Sequence, residues 1–118
     1  MTNTIKTLLP SGFQDVLPPE AAIDAKIIAK LLANFELWGY EHVKPPLMEF
    51  EKTLLSGKGK DLTKYTFRVT DPESGKMMGI RSDMTLQVAR MAASRMGKAP
   101  RPLRLSYGGQ VLRMKGEG

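Results

Sequence analysis

Apolar residues between positions 23 and 35 recur at helical spacing. Ile23, Ile27 and Leu31 fall at intervals of four, and Ile28, Leu31, Leu32 and Phe35 fill the adjacent stripe. Glu20, Asp24, Lys26, Lys30 and Asn34 take the other face. This predicts an amphipathic helix of about five turns at 3.6 residues each. Pro18-Pro19 opens it, Glu20 suits its positive first turn, and Gly39 after Trp38 supplies the stop. Before it, residues 8–19 carry three prolines and a glycine, which forbid regular helix and predict an extended arm.

After the helix the period changes. Residues 40–44 alternate as a strand does, ended by Pro45-Pro46, and 48–55 suit a short helix. Residues 65–70 and 76–80 flank the turn-forming Asp71-Pro72-Glu73-Ser74-Gly75 and predict a hairpin. A second helix starts near Ser82 or Asp83, with Met84, Val88, Met91 and Ala92 as its apolar stripe and Gly97 as its end. Leu103–Tyr107 reads as a strand, Gly108-Gly109 as a bend or bulge, and 110–114 as a further strand. The strands mostly meet through hairpins. The fold class expected is therefore α+β, a largely antiparallel sheet flanked by helices. Residues 1–118 form one partial domain, with 1–19 as the arm and 20–118 as helix, strand and hairpin segments. The run closes on Gly116-Glu117-Gly118 directly after a strand-like segment, as an excised domain or a truncated product would.

Composition narrows the function classes. No cysteine and one histidine argue against disulfides, thiol chemistry and a structural zinc site, so neither metal nor cofactor is expected. No stretch approaches the roughly 20 apolar residues of a membrane helix, and no signal peptide opens the chain, so a cytoplasmic protein with no membrane partner is expected. The net charge of +6 attracts anions, including nucleic acid. Lys and Arg are spread along the chain, which suits solvated faces equally well. The loop Gly57-Lys58-Gly59-Lys60 is basic and glycine-rich, but its spacing fails the phosphate-binding pattern G-x-x-x-x-G-K-[ST]. His42 has no nucleophile pattern near it.

The most informative chemistry lies in Arg81-Ser82-Asp83-Met84-Thr85, where a strand hands over to a helix. Backbone N–H groups and the helix dipole favour a negative charge there. Asp83 beside the Thr85 hydroxyl could receive an ammonium group. Arg113 could offer a two-pronged donor to a carboxylate. Together they would hold a zwitterion, that is, a free amino acid. On the residues alone, the competing reading is that Asp83 and Thr85 cap a helix and Arg113 is a surface charge.

Three blocks carry a resemblance. Residues 38–49 (Trp-Gly-Tyr-Glu-His-Val-Lys-Pro-Pro-Leu-Met-Glu) resemble motif 1 of class II aminoacyl-tRNA synthetases, especially the histidyl enzyme. Residues 81–90 (Arg-Ser-Asp-Met-Thr-Leu-Gln-Val-Ala-Arg) sit where that enzyme has an R-P-E-G-T segment gripping the histidine amino group. Residues 108–113 (Gly-Gly-Gln-Val-Leu-Arg) look like the start of motif 2, whose arginine contacts substrate. The departures matter. Ser82, Asp83 and Met84 replace Pro, Glu and Gly, and Met114-Lys115-Gly116 lacks the glutamate expected two residues after Arg113. The D-M-T-x-Q-V-A-R block and the opening run from Leu9 to Ala21 are instead similar to regulatory subunits of ATP phosphoribosyltransferase, the histidyl-synthetase paralogue. That family usually has Pro where this chain has Leu86.

The resemblance covers about residues 9–118 and implies the N-terminal part of a class II synthetase-like catalytic domain. It implies a regulatory subunit with no catalytic residues of its own, which supports phosphoribosyl transfer and histidine feedback in the first step of histidine biosynthesis. It implies a hetero-oligomer with a short-form catalytic subunit, self-association as a dimer through the motif 1 segment, and histidine as effector. It makes tRNA an improbable partner. By the same resemblance Asp83, Thr85 and Arg113 are the histidine-binding candidates. The alternatives are an active histidyl-tRNA synthetase fragment and a nucleic-acid binder using the +6 charge.

Overall fold

A computed structural model describes residues 9–55 and 63–114. The arm is extended up to Leu17 apart from a turn at Ser11-Gly12, in which the Phe13 N–H donates to the Pro10 carbonyl at 3.0 Å. Helix α1 spans Glu20–Leu37, close to the expected five turns, with Glu20 in its first turn. Its apolar stripe, however, is left largely uncovered. No α1 residue is buried; Ile23, Ile27 and Leu31 are each about half exposed at 50%, 51% and 52%. Among the described elements the helix packs chiefly on strands β1 (Glu41–His42) and β5 (Leu105–Ser106). There the rings of Phe35 and Tyr40 lie 6.0 Å apart, and the Arg104 guanidinium sits 4.9 Å over Tyr40.

Two small sheets replace the one expected. In the first, β1 and β5 pair in parallel, Glu41 opposite Leu105 and His42 opposite Ser106. This parallel pair stands beside the largely antiparallel arrangement expected, and joins two runs that lie far apart in sequence. The second sheet is antiparallel, in the order β2-β4-β3, with β2 at Met48–Phe50, β3 at Phe67–Thr70 and β4 at Met77–Ile80. The segment 48–55 is thus strand first and then a single helical turn, α2 (Glu51–Leu54). Pairing with β4 supplies backbone partners that an isolated short helix would lack.

The hairpin between β3 and β4 forms as its turn residues predict. Asp71 accepts from the Glu73 and Ser74 backbone N–H groups and, at 2.6 Å, from the Ser74 hydroxyl. Gly75 takes φ +76°, where a side chain would be strained. The Ser74 hydroxyl holds the Asp71 carboxyl below its ordinary range, the Glu73 N–H adding to the effect. The basic loop of Gly57 to Lys60 lies outside the described residues.

Helix α3 runs Thr85–Ala93, starting slightly later than expected. It is fixed by polar contacts as well as by buried Met84 and Val88. The fully buried Gln87 donates from Nε2 to the Pro46 carbonyl at 2.6 Å and to Glu49 Oε2 at 2.8 Å. Arg90 donates to the same oxygen at 3.1 Å and brings its Nε within 3.0 Å of Glu49 Oε1, an ion pair without hydrogen-bond alignment at that atom. Leu54 and Leu55 complete a small apolar core between α2, the three-stranded sheet and α3. Residues 110–114, expected as a strand, form no ladder. They are extended and anchored at separate points: the Leu112 N–H on the Arg81 carbonyl at 2.9 Å, and the Met114 N–H on the Tyr65 carbonyl at 2.7 Å.

Candidate functional site

The handover from β4 to α3 and the extended run after β5 face one another across an open cleft of about 470 Å³. Ser82, Asp83 and Met84 line one side; Tyr107, Gly108, Gly109, Val111 and Arg113 line the other. Asp83 and Arg113 therefore share one cleft, as a zwitterion site requires. Thr85 does not itself line it. The Thr85 hydroxyl instead lies 3.2 Å from the Tyr107 hydroxyl, and Tyr107 does line it.

Asp83 has a structural duty as well. Its Oδ1 accepts the Thr85 backbone N–H at 2.8 Å, satisfying a donor that the helix start leaves open. The capping and binding readings are compatible. A carboxylate has two oxygens, and the cap uses only one of them. Arg113 is exposed, its guanidinium 5.7 Å from the centre of the Tyr65 ring. The flat guanidinium and ring suit a cation–π contact, which limits the wandering of a long side chain.

Two residues to which the sequence assigned no role hold these groups in place. Arg81 is buried, at 9% exposure. Its Nε donates to the Gln110 carbonyl at 2.7 Å and its Nη1 to the Pro45 carbonyl at 3.1 Å. One side chain thus ties the motif-1-like prolines to the run that carries Arg113. Its backbone joins the same parts, the N–H donating to the Leu47 carbonyl at 3.0 Å and the carbonyl accepting from Leu112. Gly109 is where this packing is tightest. A Cβ there would lie 2.7 Å from Arg81 Nη2 and 3.4 Å from Met84 Sδ. The glycine leaves room for the Arg81 guanidinium, which any larger residue would push aside, and the expected bulge is not what it provides. Tyr107 is the second residue passed over. Nothing in its neighbourhood along the chain marks it, because its partner Thr85 is distant in sequence.

A second, larger cleft lies between α2 and the β3–β4 hairpin, lined in part by Lys52, Arg68 and Lys76. Its basic character is partly spent internally: Arg68 pairs with Glu51 at 2.8 Å, and Lys76 lies 5.7 Å over the Phe50 ring. His42 stands exposed on β1. Among the described residues no group of three or more His, Cys, Asp or Glu side chains is arranged to hold a metal. No described helix is long and apolar enough to cross a membrane.

The family profile described as histidyl-tRNA synthetase matches residues 12–118. A Rhodospirillum centenum protein named ATP phosphoribosyltransferase regulatory subunit is 63% identical over 109 residues, 92% of this chain and 28% of its own length. A protein of the same name from Paramagnetospirillum magneticum is 58% identical over 111 residues, 94% of this chain and 29% of its own. The chain thus spans under a third of the curated relatives it matches. Among solved structures, one described as an ATP phosphoribosyltransferase regulatory subunit/histidyl-tRNA synthetase from Bacillus halodurans superposes with a TM-score of 0.78 at 27% identity, covering 98% of this chain and 30% of the other. Histidyl-tRNA synthetase from Nostoc shares the fold with a TM-score of 0.76 at 18% identity, covering 93% of this chain and 26% of its own. The class II synthetase-like fold read from the sequence is therefore the fold observed, and the chain belongs to the histidyl-tRNA synthetase family.

Proposed function

We propose that this chain is part of a regulatory subunit of ATP phosphoribosyltransferase, acting in the first step of histidine biosynthesis. The observation that carries this reading is the 63% identity to a protein of that name across nearly the whole chain. The departures at Ser82, Asp83, Met84 and Met114 from the synthetase pattern support it. In this reading the chain performs no chemistry of its own. Phosphoribosyl transfer takes place in a separate, short-form catalytic subunit, with which the protein assembles in the cytoplasm as a hetero-oligomer. The motif-1-like segment and the exposed face of α1 self-associate as a dimer, and tRNA is not a partner.

The cleft then becomes a receptor for histidine as effector. Asp83 takes the ammonium with Thr85 beside it, and Arg113 takes the carboxylate. Two opposite charges held across one cleft suit a molecule that carries both, and charge-assisted hydrogen bonds are the stronger kind. Catalysis of aminoacylation would instead need groups that stabilise charge as it develops on the activated acyl group. The run after Arg113 does not supply the expected acidic neighbour. Histidine-dependent exchange between ATP and pyrophosphate, measured on the intact protein, is expected at background. Robust exchange would contradict the proposal and favour an active synthetase.

A further inference from the structure

The Thr85–Tyr107 contact, at the edge of the cleft, is explained neither by helix capping nor by charge pairing. Asp83 Oδ1 is committed to the Thr85 backbone N–H, so the cap leaves the carboxylate one oxygen for a ligand. A primary ammonium carries three N–H donors. Further acceptors close to Asp83 are therefore required if the group is to be desolvated without loss. The Thr85 hydroxyl is the nearest by sequence, in the same first turn. A threonine hydroxyl on a helix can adopt more than one χ1 rotamer, since it can also bond back to a carbonyl three or four residues earlier. Something has to hold it toward the ligand.

We infer that Tyr107 is the positioning residue of the ammonium subsite: its phenolic O–H donates to Thr85 Oγ1 and holds that oxygen as an acceptor beside Asp83. The inference rests on the histidine-binding reading proposed above. The 3.2 Å separation of the two hydroxyls is its geometric basis; Tyr107 lies on the cleft wall next to Gly108 and Gly109, so its hydroxyl links the Thr85 hydroxyl, which is not itself on that wall, to the edge of the site. The direction of the bond follows from acidity. The phenol is the more acidic hydroxyl and so the better donor, while the alkyl hydroxyl is the better acceptor. With one lone pair of Thr85 Oγ1 engaged by Tyr107, the second is left for a ligand N–H. Asp83 then supplies charge, Thr85 supplies direction, and Tyr107 makes the direction single-valued. The subsite so built selects a primary ammonium over an amine-free analogue of the same shape.

The test is calorimetric titration of the intact protein with histidine and with imidazolepropionate, which is histidine without its ammonium. Tyr107→Phe removes one oxygen and keeps the ring. It is expected to weaken histidine roughly two- to ten-fold, the range of one neutral hydrogen bond, and to leave imidazolepropionate unchanged. Thr85→Val is expected to weaken histidine as well, and Tyr107→Phe added to Thr85→Val should cost nothing more, because the two act through one contact. Thermal unfolding of each variant verifies the fold. Equal weakening of both ligands by Tyr107→Phe, or full additivity with Thr85→Val, would show a packing role and overturn the inference. Unchanged histidine binding in Tyr107→Phe, with Asp83→Ala clearly impaired, would also overturn it and leave the histidine reading standing. Failure of Asp83→Ala to weaken histidine would remove that reading and this inference together.

Discussion

Asp83 works twice, and the two duties predict different losses. As a cap it accepts the Thr85 N–H; as a ligand group it would face the ammonium across from Arg113. Removing the cap should cost about 1 kcal/mol of stability. Removing a charge-assisted hydrogen bond of roughly 1.5–3 kcal/mol should weaken histidine by about ten- to a hundred-fold. Asp83→Ala is therefore expected to fold, shown by circular dichroism, and to lose affinity in calorimetry. A folded variant that binds as tightly as the parent would place any histidine site elsewhere. Asp83 and Arg113 were legible in the sequence because each sits in a recognisable block. Tyr107 was not, and Arg81, although it opens the same block as Asp83, showed no sign of its role. Their roles depend on Thr85, on Pro45 and on Gln110, and no local pattern records contacts made across such separations.

At the scale of elements, local chemistry predicted well and distant pairing did not. The period of Ile23, Ile27 and Leu31 gave α1, and Asp71 to Gly75 gave the hairpin, since both are decided within a few residues. The parallel pairing of Glu41 with Leu105 was invisible, being a match between two short runs with no connecting turn. Residues 48–50 were read as the start of the helix over 48–55 because β4, the partner that makes them a strand, is distant in sequence. The hairpin turn carries its own pH signature. Bonds from Ser74 and Glu73 lower the Asp71 pKa from its ordinary value of 3.8, so the folded state favours the ionised form. A lowered folded pKa gives stability that is present above the unfolded value and lost as pH falls through the folded one. In thermal unfolding across pH 7 to 2, the parent should exceed Asp71→Asn in stability near neutrality, and the gap should close below about pH 4. A gap that persists unchanged at pH 2 would show that the carboxylate charge is not what the turn uses.

At the scale of the molecule, the exposed stripe of α1 and the small core belong together. Among the described residues the apolar core consists of Leu54, Leu55, Met84 and Val88, while Ile23, Ile27, Ile28, Leu31 and Phe35 remain open on α1. A run of that kind ordinarily meets another surface. By the proposal, a two-fold partner covers it together with the motif-1-like segment, and sedimentation of the intact protein at micromolar concentration should show a dimer; a strict monomer would count against that part. Composition foresaw none of this, because a helical period states which side chains share a face and is silent on what covers them. The most direct test of the central claim is reconstitution. The intact protein is mixed with a short-form catalytic ATP phosphoribosyltransferase subunit from the same organism, and formation of the phosphoribosyl–ATP product is followed with and without histidine. The mixture is expected to form a complex whose activity exceeds that of the catalytic subunit alone and is lowered by histidine. A catalytic subunit equally active in the protein's absence, with no complex formed, would contradict the account.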